Sequence, residues 1–191
     1  PVRTSTATIS VLDSDLLLDL YSINNQYAPV KFYKEGVLEW TGYIKPEQFT
    51  QPYVPNIESI SVECVSALAT LEHIGYKTQN QSGYITMMEL IRYIISSANG
   101  EYRGVYLPWV YGSSSEMNGN VFEEIILCEE NFTSEEMNLL EVLEAVCKFL
   151  NWTVYDIKGH LYFVDADWKG AYRVYDEALT NYTTENVNEV F

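Results

Sequence analysis

A chain of 191 residues, 47% apolar and 20% charged, has material for one sizeable domain or two small ones and for a real hydrophobic core. Eleven basic residues stand against 27 acidic ones, a formal net charge of −16, and no stripe of Lys and Arg gathers them, which speaks against nucleic acid as a partner. No run approaches the roughly 20 apolar residues of a membrane-spanning helix, and the opening PVRTSTATIS has neither the basic start nor the apolar stretch of a signal peptide.

TSTATISVL, residues 4 to 12, sets Ala7, Ile9 and Val11 on one side and Thr6, Thr8 and Ser10 on the other, the alternation of a half-buried strand. DSDLLLDLYS then changes period to Leu16, Leu17 and Leu20, a short helical turn led by Asp13 or Ser14. PVKFYKEGVLEW reads as a hairpin tightened at Gly36, and its second arm runs through TGYI until Pro46, whose missing N–H ends the ladder. PEQFTQPYVP is an extended surface connection. IESISVECV is another alternating strand carrying Ile60, Val62 and Cys64, and SALATLEHI is a brief helix that packs Leu68 and Leu71.

Two longer helices follow. Thr86 and Glu89 form a capping box ahead of Met88, Ile91, Ile94 and Ile95, with Gly100 as the stop. Thr133 and Glu136 repeat the device ahead of Leu139, Leu140, Leu143, Val146, Cys147 and Leu150. Between them lie a strand in RGVYLPWVY, a Gly/Ser-rich loop GSSSEMNGN and the mixed segment VFEEIILCEE. The chain then reads WTVYDIKGHLYFVDADW, a second hairpin turning at Lys158-Gly159. Helix, strand, glycine turn and strand echo residues 16 to 43, which suggests a duplicated helix-plus-hairpin unit. The expected fold class is α+β, with small β-barrel-like subdomains and helical inserts. The divisions are residues 1–76 for a first β-rich subdomain, 77–131 for a helical and strand insert, and 132–191 for a second helix-plus-hairpin subdomain.

Candidate chemistry is sparse. Cys64, Cys128 and Cys147 are too few and too far apart for a metal knuckle or a disulfide framework, and read as reduced thiols. His73 and His160 have no Cys or His at ligand spacing and read as structural or exposed. Asp165 and Asp167 supply only part of the oxygen shell a hard cation needs and read as strand-end carboxylates. Glu123-Glu124 and Glu129-Glu130 read as a solvated acidic face. No phosphate loop, nucleophile elbow or zinc helix appears, so no catalytic, cofactor or metal residue is assigned. Sixteen tyrosines and four tryptophans are a surplus suited to an interaction surface, since each joins a large apolar area to a polar tip. Tyr43, Tyr53, Tyr106, Trp109, Tyr111, Trp168 and Tyr172 lie nearest loops and strand ends, and of these Tyr53, Tyr106, Trp109, Tyr111 and Trp168 are the candidates.

The run VLEWTGYIKPEQFTQPYVPNIESISVECVSALATL resembles tail proteins of phages and prophages, particularly those of gut Bacteroidetes. There a hairpin ending in Trp-x-Gly-Tyr-Ile is followed by a Pro-containing link, an alternating strand and a short helix with paired leucines. Trp40, Gly42, Tyr43, Ile44 and Pro46 carry the hairpin part, and Pro52, Ile60, Val62, Leu68 and Leu71 the rest. ITMMELIRYII and LLEVLEAVCKFLNWTVYDIKGHLYFVD look like the family's next helix and closing unit. The chain departs from the family at Cys64-Val65-Ser66-Ala67-Leu68, where Ala-x-Asp-Gly-Leu is usual. The resemblance implies a baseplate hub or tail-tip component with no activity or cofactor of its own. Its partners would be other phage tail proteins and further copies of itself in the assembled tail. It would reside in the virion tail, and in the host cytoplasm during assembly. On that reading the hairpin holds the fold, with Trp40 and Ile44 facing a barrel core and Pro46 ending the strand at an edge. The alternative is a carbohydrate-binding or adhesion module that uses exposed Tyr and Trp.

Overall fold

The computed structural model describes residues 1–13, 20, 22–46, 58–109 and 121–186. Strand β1 (Val2–Arg3) leads into β2 (Thr6–Asp13), and β3 (Pro29–Lys34) and β4 (Val37–Ile44) form the first hairpin. Strand β5 (Glu58–Ser66) runs directly into a 3-10 helix, Ala67–His73. Next come β6 (Tyr84–Thr86), α1 (Met87–Ala98), β7 (Gly104–Pro108), α2 (Val121–Glu124), β8 (Ile126–Cys128), α3 (Glu130–Thr133) and α4 (Leu139–Leu150). The second hairpin, β9 (Trp152–Ile157) and β10 (His160–Asp165), is followed by β11 (Ala171–Tyr175) and β12 (Tyr182–Asn186). The fold is α+β with a curled half-barrel sheet.

Six strands make the larger sheet, in the order β1-β9-β10-β7-β11-β12, with β1·β9 and β10·β7 parallel and the other pairs antiparallel. Its inner face turns Val105, Leu107, Val154, Leu161 and Phe163 onto α1, α4 and the 3-10 helix, all five fully buried. Residues from 1–76, 77–131 and 132–191 all enter this one core, including Tyr43 and Leu68, Ile91, and Leu143. The smaller sheet, β2-β5-β4-β3, is antiparallel throughout. Ile44, Ile60, Val62 and Cys64 are buried on one of its faces, joined by half-buried Ala7, Ile9, Val30 and Trp40.

Both hairpins turn on two residues of positive φ, Glu35-Gly36 at 52° and 80° and Lys158-Gly159 at 51° and 72°. That is the mirror-image turn whose twist matches a β-hairpin. The turns echo one another, but the hairpins sit in different surroundings, one at a sheet edge and one inside the six-stranded sheet. The helical half of the first unit, with Leu16 and Leu17, lies outside the described residues, as do Tyr53, Tyr111, Pro52, most of the proline-rich link and the Gly/Ser-rich loop.

Three local expectations need correction. The capping box of α4 is Asn138 with Glu141, not Thr133 with Glu136. Thr133 ends the short helix α3, and Glu136 has φ of +50°, so no helical turn can start there. Helix α1, with the expected Thr86–Glu89 box, is closed by Asn99 in the left-handed conformation rather than by Gly100. Gly100 is needed because the Tyr102 ring lies against it, 2.2 Å from where a Cβ would stand. Finally, β4 is not an edge, because it pairs with β5 and β3, and it ends at Ile44, two residues before Pro46.

Candidate functional site

The Trp-x-Gly-Tyr-Ile run lies on β4, and alternation sends its side chains to two different places. Trp40 and Ile44 point to the half-barrel cluster, whereas Tyr43 is buried in the main core, where its hydroxyl donates to the Asn99 carbonyl at 2.9 Å. Gly42 lies beneath the indole of Trp40. A Cβ there would stand 2.1 Å from the ring and 2.3 Å from the Val65 carbonyl oxygen, so the glycine is what lets the tryptophan lie flat along its own strand. Trp168 and Gly170 repeat the arrangement, with 2.2 Å between the indole and a Cβ at Gly170. The spacing Trp-x-Gly is in the sequence at both places, but only the backbone shows that it means an aromatic ring covering a glycine.

The indole Nε1 of Trp40 donates to the Ser5 Oγ at 2.9 Å and so ties β4 to the start of β2. Beside it opens a cleft of about 630 Å³, lined by residues 5–9 on one side, Val30, Lys31 and Phe32 on another, and Asp156, Ile157 and Lys158 at one end. Strands β2 and β3 are the two edges of the four-stranded sheet. In a flat sheet they would be about 14 Å apart, three strand spacings; facing one cleft, they mark this sheet as the curled one.

Asp156 is the titratable group that the fold perturbs here. It leaves β9 on the core side, opposite Leu161, and its Oδ2 has no hydrogen-bond partner among the described residues. Burial pushes its carboxyl up to about 7, because the charged form loses water and gains no donor. Lys31 pairs with Glu101 at 2.6 Å, and that hydrogen bond raises its pKa. Lys158, exposed at the turn, makes no ion pair among the described residues. The lining holds one carboxyl, two ammonium groups, several hydroxyls and no histidine or cysteine. Such a set can bind and orient a ligand with an apolar body, and among the described residues no second carboxyl, histidine or cysteine lines the cleft beside Asp156.

The aromatic candidates are dispersed. Tyr106 is half-buried on the outer face of the six-stranded sheet, stacked on Tyr162 at 4.4 Å between ring centroids, with His160 edge-on at 5.6 Å. Trp109 lies on the opposite face, where the guanidinium of Arg173 is sandwiched between it and Tyr182 at 4.7 and 4.3 Å. Trp168 closes the β10–β11 connection, its Nε1 donating to the Ala171 carbonyl at 3.0 Å. They form no single strip. His160 is held below its ordinary range by burial and by nearby Arg103, and His73 is exposed. Asp165 accepts from the Trp152 indole at 3.1 Å and from the Asp167 backbone at 3.0 Å, so the Asp-x-Asp pair caps a strand end. Among the described residues no group of three or more His, Cys, Asp or Glu is placed to hold a metal ion.

Of the two acidic pairs, Glu129 is the one that does not belong to a solvated face. Glu129 is 1% exposed and accepts from the Tyr76 hydroxyl at 2.6 Å and from the backbone N–H of Gln79 and Asn80 at 2.6 and 3.1 Å. Burial pushes its carboxyl up, but these three donors outweigh it and hold the carboxyl below its ordinary range. Glu123 pairs with buried Arg173 at 2.8 Å. Glu130 is exposed, as expected. Nothing in the spacing of four glutamates separates these roles, since the partners come from 49 to 53 residues away.

No family model matches the chain, and no curated protein and no solved structure matches it either. Among the described residues no helix is long and apolar enough to cross a membrane.

Proposed function

We propose that this chain is a non-enzymatic structural component of a phage or prophage tail, of the tail-tip or baseplate-hub kind, working through contacts with other tail proteins and with copies of itself. Its place would be the virion tail, reached from the host cytoplasm during assembly. The observation that carries the reading is the half-barrel, in which two strand edges that are unpaired among the described residues, together with exposed Phe32 and Ile157, flank a cleft that no described residue fills. Edges of this kind are where proteins add to one another. The test is assembly. The purified chain, mixed with tail proteins from its own locus and followed by analytical ultracentrifugation, is expected to form complexes of defined mass. A protein that stays monomeric at high concentration and binds none of them removes the proposal.

A carbohydrate-binding or adhesion module is the second reading, favoured by Trp40 beside hydroxyls and the Asp156 carboxyl in the same cleft. It predicts glycan-dependent quenching of Trp40 fluorescence, and a blank glycan array removes it.

A further inference from the structure

The two edges of the half-barrel are not alike. Strand β3 carries the devices that keep an edge from pairing: Pro29 at its start, Lys31 and Lys34 along it, and a bulge between Phe32 and Tyr33. Strand β2 carries none of these within its pairing range. Its eight residues pair with β5 in unbroken register, no charged residue occurs between Thr4 and Leu12, and among the described residues nothing pairs with its second edge. An edge of this length with no Pro, Lys or bulge, and no charge before its last residue, Asp13, is a template for another strand. The cleft beside it is bounded on the far side by β3, so it has room for one extended segment rather than for the edge of a second folded sheet.

We propose that the cleft takes a single extended segment of a partner protein, added as a strand along β2, with apolar residues at alternate positions turned onto Ile9, Val30 and Trp40 and a carboxylate beside Lys158. Five residues of β2 and its approach line the cleft, so the segment in contact is about five residues, or roughly 17 Å. Alternation follows from the strand period, since Ala7 and Ile9 face the cluster while Thr6 and Thr8 are exposed. The carboxylate follows from charge. Lys158, at the same end of the cleft as Asp156, makes no ion pair among the described residues, in a chain of net −16. This inference rests on the reading that the chain works by protein contact.

The experiment uses the full chain and a set of ten-residue peptides in which Val, Ile or Phe alternates with Thr, each with one Glu near an end. Controls are scrambled versions of equal composition and versions N-methylated at alternate amides. The alternating peptides are expected to bind, to shift and protect the backbone amides of β2 around Thr6 and Thr8, and to leave those of β12 unchanged. Scrambling, which destroys the apolar alternation, and N-methylation, which removes ladder hydrogen-bond donors, are each expected to weaken binding at least about tenfold. Lys158→Glu is expected to weaken it roughly fivefold, in a turn whose counterpart already carries Glu35. The proposal is overturned by any of four results: no peptide binds, scrambled or N-methylated peptides bind equally, the shifts fall outside β2, or the free protein dimerises through this edge. Tail proteins that still assemble with the chain after such a result leave the broader reading standing.

Discussion

The large core and the half-barrel cluster differ in what covers them. Around Phe163, Leu161 and Val105 the six-stranded sheet is closed by α1, α4 and the 3-10 helix, and every one of those side chains is fully buried. Around Trp40 and Ile9 the four-stranded sheet curls on itself, and among the described residues the buried members of its apolar cluster are Ile44, Ile60, Val62 and Cys64, with Ala7, Ile9, Val30 and Trp40 half-buried. The first region has the packing from which stability comes. The second has no such layer among the described residues, and there an apolar surface, strand edges that no described strand pairs with and the Asp156 carboxyl meet. Each region contains a hairpin with the same kind of mirror-image turn, so what differs is the covering layer and not the local turn chemistry.

That contrast can be broken by mutation. Phe163→Ala in the closed core is expected to cost about 3–5 kcal/mol, whereas Ile9→Ala in the open cluster is expected to cost roughly 1–2, because a half-buried side chain leaves no closed cavity. Chemical denaturation monitored by circular dichroism measures both, and equal losses would erase the distinction. The two hairpin turns give the next comparison. Gly159 has φ of +72° and sits so near β4 that a Cβ would stand 2.5 Å from the Leu38 carbonyl oxygen, whereas Gly36, at +80°, has open space around it. Gly159→Ala is therefore expected to cost roughly 2–3 kcal/mol, strain plus a clash, and Gly36→Ala about 1 kcal/mol from strain alone.

Asp156 gives a pH dependence of unusual sign. Its folded-state pKa is raised from 3.8 to about 7, so between those values the folded state holds a proton that the unfolded state has released, and stability falls as pH rises. Asp156→Asn is expected to match the parent below about pH 4 and to be more stable by roughly 1–3 kcal/mol above about pH 7. Thermal melts of both proteins across that range test it, and a constant difference would show that the carboxyl is not perturbed. Glu129, whose carboxyl is held low, has the opposite sign. Its contribution is present above the unfolded carboxylate pKa and is lost as pH falls through the folded one. The smallest effect belongs to the exposed pair Lys148–Glu144 at 3.3 Å on α4; Glu144→Gln is expected to change stability by less than about 0.5 kcal/mol.

Much of the fold was legible where the signal is local. The strand around Ile9, both glycine turns, the Thr86–Glu89 box and the helix stripes through Ile91 and Leu143 follow from residues within a few positions of one another. Where two local signals competed, the reading failed: Thr133–Glu136 and Asn138–Glu141 both have capping-box spacing, and the positive φ of Glu136 decides for the second. The site was legible in part. The hairpin with Trp40 stood out as a motif, but Asp156, buried Glu129 and the Arg173 sandwich did not, since each is defined by partners far along the chain.

The amino-acid sequence by itself determined the elements, their turns and which side of most strands is apolar, because periodicity and propensity act over a few residues. Only the tertiary structure decided that Trp40 and Tyr43, three residues apart, serve different cores, that β2 and β3 face each other across a cleft, and that Asp156 stands at its end with no donor to its Oδ2 among the described residues. The physical reason is that sheet curl and burial are set by contacts between distant segments, and these change the solvation of a side chain without leaving a mark on its neighbours in sequence.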